Sequence, residues 1–295
     1  MAVTKWTHAE LPDLTGRTVV ITGASGGIGL ITARELARVG ARVVLAVRTV
    51  EKGRQVAAAI PGRTEVRELD VCDLASVRRF ASGWTDPIDV LINNAGIMNV
   101  PLARTPEGFD TQLATNYVGP FALTNLLLPH ITDRVVSVSS QLHRLGRTHL
   151  DDLTGQNRRY RALNAYCDSK LYVALFSTEL QRRLTASGSA VRSVVAHPGI
   201  ASTNLVSHTL SGRMLFSTMK FLLNDAEHGA LPTLFAATQD IPGNSYVGPD
   251  GPAAVKGNPK PGRASRAALD TRTAQELWAR TAELTGTGSE LAGAA

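Results

Sequence analysis

The sequence predicts an α/β protein built on a doubly wound, parallel sheet flanked by helices, and three observations carry that expectation. From Arg17 to about residue 200, short β-rich runs alternate with helical stretches. The runs are nearly continuous in apolar residues, as strands covered by helices on both faces require. The first strand runs through a glycine-rich turn, Thr22-Gly23-Ala24-Ser25-Gly26-Gly27-Ile28-Gly29, into a helix.

The elements follow in order. RTVVITG (17–23) leads into a helix over about 27–39, and ARVVLAV (41–47) into a helix over about 51–59 introduced by Thr49 with Lys52. EVRELDV (65–71) precedes a helix at about 74–83, and IDVLINNAG (88–96) precedes one at about 107–128. RVVSVSS (134–140) is followed by a long helix, 163–187, which Ser187-Gly188 stops, and VRSVVAH (191–197) is the sixth strand. Residues 204–223, with Leu205, Leu210, Met214 and Phe216, form an apolar insertion that covers either substrate or core. Glycine and proline make 248–263 a loop, and 270–285 is a helix starting near Asp270. No linker divides the chain, so 14–285 is expected to be a single domain, with 1–13 and 286–295 as flexible termini.

Composition excludes several classes. A chain of 295 residues that is 43% hydrophobic buries enough surface to offset its ordering entropy, so disorder is excluded. Cys72 and Cys167 form at most one bridge, which excludes a disulfide scaffold and points to the cytoplasm. The opening MAVTKWTHAELPDL lacks the apolar core of an export leader, and no apolar run reaches the roughly 20 residues of a membrane span. The net charge of +6 is scattered, its densest stretch being Arg158, Arg159 and Arg161, so no nucleic-acid partner is expected.

The glycine-rich turn permits close backbone approach to a pyrophosphate held by amide groups at a helix start, which points to a dinucleotide. A site selecting NAD places an acid after the second strand, whereas this chain has Val47-Arg48. Arg48 would meet a 2′-phosphate with a bidentate fork, so NADP(H) is favoured, with NAD(H) left open. Asp70-Val71 would border an adenine ring, and Asn93-Asn94-Ala95-Gly96 would face the same crevice unless the Asn pair is only a turn former. Tyr166 and Lys170 share one helical face at i,i+4 spacing. A phenol titrates near 10, and a neighbouring cation such as Lys170 would stabilise its ionised form. Ser139 and Ser140 end the fifth strand, where a hydroxyl can polarise a carbonyl. Asn116 is a costly helix-interior residue, either a polar functional group or an amide satisfied by backbone. His143, His149, His197 and His208 lack metal-ligand spacing and are assigned to loops or packing, as is Cys167.

In order, TGASGGIG, NNAG, Asn116, VSS, YCDSK and HPG resemble the short-chain dehydrogenase/reductase family over about residues 14–240. AVRTVEKG, the long interval from VSSQLHRLG to YCDSK, and DAEHGALPTLFAAT are similar to its retinol-dehydrogenase-like branch. The resemblance implies a Rossmann-type domain, a nicotinamide cofactor bound also through Pro198, Gly199 and Thr203, and reversible hydride exchange between a carbonyl and an alcohol. It implies that Tyr166 is the proton donor or acceptor, that Lys170 lowers its pKa and holds the ribose, and that Asn116 anchors a relay water. Ser140, second in VSS, is the substrate-orienting serine by the same likeness, with Ser139 the alternative. Homo-oligomers and monomers both occur in the family. The expected activity is NADP(H)-dependent interconversion of a mostly apolar aldehyde or ketone with its alcohol, and the alternative is a non-catalytic NADP(H)-binding regulatory or scaffold protein. The membrane anchor of some retinol-processing members has no counterpart in the opening residues, and the likeness by itself does not name a substrate.

Overall fold

The computed structural model describes residues 5–199 and 225–288. Its sheet holds eight strands: β1 (Thr18–Thr22), β2 (Arg42–Val47), β3 (Arg63–Glu68), β4 (Ile88–Asn93), β5 (Ile131–Val138), β6 (Arg192–Ala196), β7 (Tyr246–Pro249) and β8 (Pro259–Gly262). Their order is β3-β2-β1-β4-β5-β6-β7-β8, parallel through β7 and antiparallel at β8. The winding reverses between β1 and β4, which opens a crevice at the carboxyl ends of those strands.

The helices are α1 (Gly27–Arg38), α2 (Val50–Ala58), α3 (Leu74–Ser82), α4 (Thr111–Leu113), α5 (Gly119–Leu127), α6 (Ala162–Ala186), α7 (Ala226–Thr238) and α8 (Thr271–Thr285). A π turn, Ala114–Val118, joins α4 to α5. Two cores sandwich the sheet. On one face Phe121, Phe176 and Trp278 interlock, with Trp278 centred 4.9 Å from Phe121 and 5.7 Å from Phe176. On the other, Leu36 of α1 and Ala230 and Leu234 of α7 pack on Val19, Ile21 and Val43. Truncating one of the buried aromatics would cost about 3–5 kcal/mol. Among the described residues no helix is long and apolar enough to cross a membrane.

Three expectations need correction. β3 is an edge strand, RTEVRE, with no fully buried residue, because only β2 covers its flank. The stretch 248–263 is not all loop, since it contains the end of β7 and the whole of β8. Asp250 donates its amide to the Asn258 carbonyl at 2.8 Å, and Gly248 and Lys260 face each other two positions further along. Pro259 and Pro261 therefore occupy the intervening pairs that exchange no ladder bonds, where a missing N–H is tolerated. The terminal segments are also tied down where they are described. Trp6 meets Phe235 edge-on at 5.3 Å, Thr7 and Glu10 form a capping box, and the Leu14 amide bonds the Val39 carbonyl at 2.7 Å. Gly286, at φ 62°, closes α8, and the Trp278 indole donates to the Gly288 carbonyl at 3.1 Å. Thr203, His208 and the insertion 204–223 lie outside the described residues.

Candidate active site

The glycine-rich turn between β1 and α1 is shaped by close approaches. Gly23 adopts φ +69°, and a Cβ there would stand 3.0 Å from the Ala95 backbone. A Cβ on Gly29 would run into the Asn94 amide and lie 2.8 Å from the Gly23 carbonyl. Gly27, at φ +55°, also needs glycine's freedom. Gly26 caps α1 without any side-chain hydrogen bond, so the amides around Ser25, Gly27 and Ile28 have no side-chain cap at the positive helix end. Thr22 stitches this turn to the β4 exit, its hydroxyl accepting from the Asn94 and Ala95 amides at 3.0 Å each. The Asn94 side chain returns a bond to the Thr22 carbonyl at 2.8 Å. The first Gly-rich segment and Asn94-Ala95-Gly96 thus form one wall.

Arg48 stands exposed just past β2. A second cation, which the sequence marked only as part of the start of α2, stands nearby on that helix. The Lys52 ammonium lies 3.9 Å from where a Cβ on Gly26 would be, beside the start of α1. The signal for it was Gly53, because a Cβ there would stand 2.7 Å from Val47 and 2.8 Å from Val66, and its absence lets α2 lie flat on β2 and β3. Beyond β3, the Asp70 carboxylate accepts from the Cys72 amide at 2.9 Å, and its own amide bonds Ser76 at 3.0 Å. Val71 is buried, with its carbonyl pressed against Gly119 at the start of α5.

The acid/base candidates converge at Gly96. A Cβ on that residue would be 3.2 Å from Asn116 Oδ1 and 3.4 Å from Lys170 Nζ. Asn116 lies in the π turn and is buried. Its Oδ1 accepts from the Ile97 amide at 2.8 Å, and its Nδ2 donates to the Ile97 carbonyl at 3.0 Å and to Ser169 Oγ at 2.9 Å. Both Asn116 donors are spent on protein, and Ser169 in turn donates to the Tyr166 carbonyl at 2.8 Å. Lys170 Nζ donates to the Val138 carbonyl at 2.9 Å and sits 5.8 Å from the centre of the Tyr166 ring.

Ser139 and Ser140 part company here. Ser139 Oγ is turned away and donates to the Lys170 carbonyl at 2.8 Å. The Ser140 hydroxyl hydrogen-bonds Tyr166. Burial dominates the electrostatics. It lifts the Tyr166 phenol to about 12 against the lowering effect of Ser140, and it lowers the Lys170 ammonium to about 8. The expected depression of the Tyr166 pKa by Lys170 is therefore not what this geometry produces: loss of water dominates, and the opposing pull comes from the Ser140 hydroxyl. Past β6, Gly199 adopts φ +73°, and its amide bonds His197 Nδ1 at 3.3 Å beside Pro198. A cavity of about 240 Å³, lined by Asp13, Arg17, Asp133 and Arg134 among others, lies at the opposite, amino ends of β1, β4 and β5, far from this chemistry.

Comparison with known proteins identifies the family. A family profile described as short chain dehydrogenase matches residues 17–213. Retinol dehydrogenase 11 of Homo sapiens is 44% identical over 237 residues, covering 76% of this chain and 74% of that protein. Polyprenol dehydrogenase of Mus musculus is 36% identical over 301 residues, covering 94% of this chain and 86% of that protein. The crystal structure of an uncharacterized protein from Mycobacterium Paratuberculosis superposes with a TM-score of 0.85 at 52% identity, covering 96% of this chain and 98% of that one.

Proposed function

The chain belongs to the short-chain dehydrogenase family and is an NAD(P)-dependent oxidoreductase acting on CH–OH groups, and on that premise we propose that it interconverts mostly apolar aldehydes or ketones with their alcohols using NADP(H). The observation that carries this reading is that Lys170 and Asn116 meet beside Gly96, at the end of the glycine-rich cradle, with the Tyr166 ring 5.8 Å from the Lys170 ammonium. The cradle fits a dinucleotide, because Gly23 and Gly29 leave no room for a Cβ and α1 begins without a side-chain cap.

Gly23, Ser25, Gly27, Ile28 and Gly29 would hold the pyrophosphate, Asp70 and Val71 the adenine, and Asn94, Ala95 and Gly96 the adjoining ribose. Pro198, Gly199 and Thr203 would hold the nicotinamide end. Arg48 and Lys52 would meet a 2′-phosphate, which supports NADP(H) over NAD(H). Bound there, the nicotinamide supplies the hydride. In the reducing direction Ser140 Oγ donates to the substrate oxygen, and the Tyr166 phenol, protonated through neutral pH, delivers its proton to it. Lys170, charged below about 8, draws the phenol's developing negative charge and holds the ribose. Asn116 locks the π turn to Ile97 and Ser169 and so fixes where a relay water is held.

An apolar substrate is supported by Leu145, 68% exposed on the turn that Ser140 caps, and by Leu163, 50% exposed one turn before Tyr166. Two similar proteins are named for retinol and polyprenol. The single sheet supports reading 14–285 as one domain, and two free thiols support the cytoplasm. No observation favours the non-catalytic alternative. The test is NADPH consumption against aldehydes and ketones of increasing chain length, with Tyr166→Phe as control. Turnover rising with apolar length is expected, and a wild type inert to the whole panel overturns the reading.

A further inference from the structure

His143 makes more directed hydrogen bonds than a packing histidine needs. It is fully buried in the short 3-10 turn Gln141–Leu145, whose N-cap is Ser140. Its Nδ1 lies 2.7 Å from the Ser140 carbonyl oxygen and 3.0 Å from the Tyr246 hydroxyl. Its Nε2 accepts from the Ser265 backbone amide at 3.1 Å. A backbone amide only donates, so Nε2 carries no proton and the neutral ring holds its proton on Nδ1. The Nδ1–H therefore donates to the Ser140 carbonyl.

One aromatic ring packs against it. Tyr246 lies 5.1 Å from His143 at a tilt of 48°, and is itself stacked on His197 at 5.1 Å. Ser140 is thereby held at both ends. The His143 ring and amide grip its carbonyl, while its hydroxyl accepts from Leu142 at 3.2 Å and meets Tyr166. Carbonyl and hydroxyl hang from one Cα, so fixing the first aims the second.

We infer that His143 is a positioning residue that clamps the Ser140 backbone through a tautomer locked by Ser265, and so aims the Ser140 hydroxyl at the substrate oxygen. The inference rests on the role proposed above for Ser140 and gives a role to a residue that the sequence alone assigned to a loop or to packing. Two amide replacements separate the clamp from simple filling of space. Asparagine places an N–H near the Nδ1 position, whereas glutamine places its carbonyl near Nε2, keeping the Ser265 bond but losing the donor to Ser140.

The experiment measures kcat and KM, with NADPH and the best carbonyl of the panel, for wild type, His143→Gln, His143→Asn, Ser140→Ala and the His143→Gln/Ser140→Ala double variant. His143→Gln is expected to lower kcat about 10- to 100-fold with the KM for NADPH unchanged, the scale of a misaimed catalytic group. His143→Asn should recover to within about threefold of wild type, and His143→Gln should cost less than about threefold in the Ser140→Ala background, because residues acting as one unit are non-additive. A kcat for His143→Gln near wild type, equal losses in both amide variants, or an undiminished loss without the Ser140 hydroxyl would each overturn the clamp. Should the variants fail to fold, ¹⁵N NMR of histidine-labelled wild type decides. An Nδ1–H resonance assigned to His143 supports the clamp, and an Nε2–H one removes it. That spectrum needs no turnover, so it separates failure of the clamp from failure of the enzyme reading, in which Tyr166→Phe would match wild type.

Discussion

Replacing Lys170 with methionine should abolish turnover and yet raise the melting temperature. Lys170 is only 4% exposed, and its ammonium donates to the Val138 carbonyl at 2.9 Å. Burial lowers its pKa from 10.5 to about 8. Below about pH 8 the folded and unfolded chains are both charged at this position, and the folded state bears the whole cost of the buried cation. Between about 8 and 10.5 only the unfolded chain holds the proton, so stability rises with pH, and above 10.5 the cost is gone. A gap of about 2.5 pH units at about 1.4 kcal/mol each gives roughly 3 kcal/mol at pH 7. Losing the bond to Val138 returns about 1–2 kcal/mol of that. The net gain of about 1–2 kcal/mol corresponds to a rise of about 2–4 °C in a chain of this size, with methionine filling the space of the lysine stem. Calorimetry of wild type and Lys170→Met without nucleotide, at pH 7 and at pH 10.5, is the measurement. An equal or lower Tm for the variant at pH 7, or a difference that does not shrink at pH 10.5, refutes the reasoning.

Tyr166→Phe should keep cofactor affinity and fold while kcat drops about 10²- to 10⁴-fold, the range for a lost general acid, and near-normal turnover would remove Tyr166 from the mechanism. Arg48→Ala and Lys52→Ala should each weaken NADPH relative to NADH by about tenfold at low salt and by less at high salt, since both cations are exposed. Equal use of the two nucleotides by wild type, read as kcat/KM, would make both ordinary surface charges. Gly119→Ala should destabilise by about 1–3 kcal/mol, because its Cβ would collide with the Val71 carbonyl, and it should raise the Kd for nucleotide by shifting the loop at Asp70. Titration calorimetry showing unchanged affinity in the folded variant would detach that loop from the cofactor.

Much of this architecture was legible because its signals are local. Strands β1, β2, β4, β5 and β6 announce themselves as apolar runs, and Asp270 and Ser187-Gly188 mark helix ends close to where α8 begins and α6 stops. β8 was hidden because two prolines within PKPG argue against a strand unless its outer side is known to be free. The packed N-terminal segment was hidden because Trp6 finds Phe235, a partner more than two hundred residues away. At the site, spacing paired Tyr166 with Lys170, since i,i+4 is a property of one helix. It could not locate Lys52, whose relation to Gly26 depends on how α2 lies on the sheet, nor His143, whose partners Tyr246 and Ser265 come from remote segments. Asn116 stood out as costly in a helix, and the π turn shows the backbone adapting around it.

The two borders of the sheet have a bearing on crowding and self-association. At one border Pro259 and Pro261 of β8 turn donor-less nitrogens outward, so an incoming strand finds no N–H there to pair with. At the other, Arg63, Glu65 and Arg67 alternate along β3 with Glu68 at its end, and a second copy laid against it would have to desolvate those charges. Neither border templates growth. Any assembly of this chain is thereby steered toward its helical faces, and at high concentration the native fold should resist the edge-to-edge stacking that turns open sheets into fibrils.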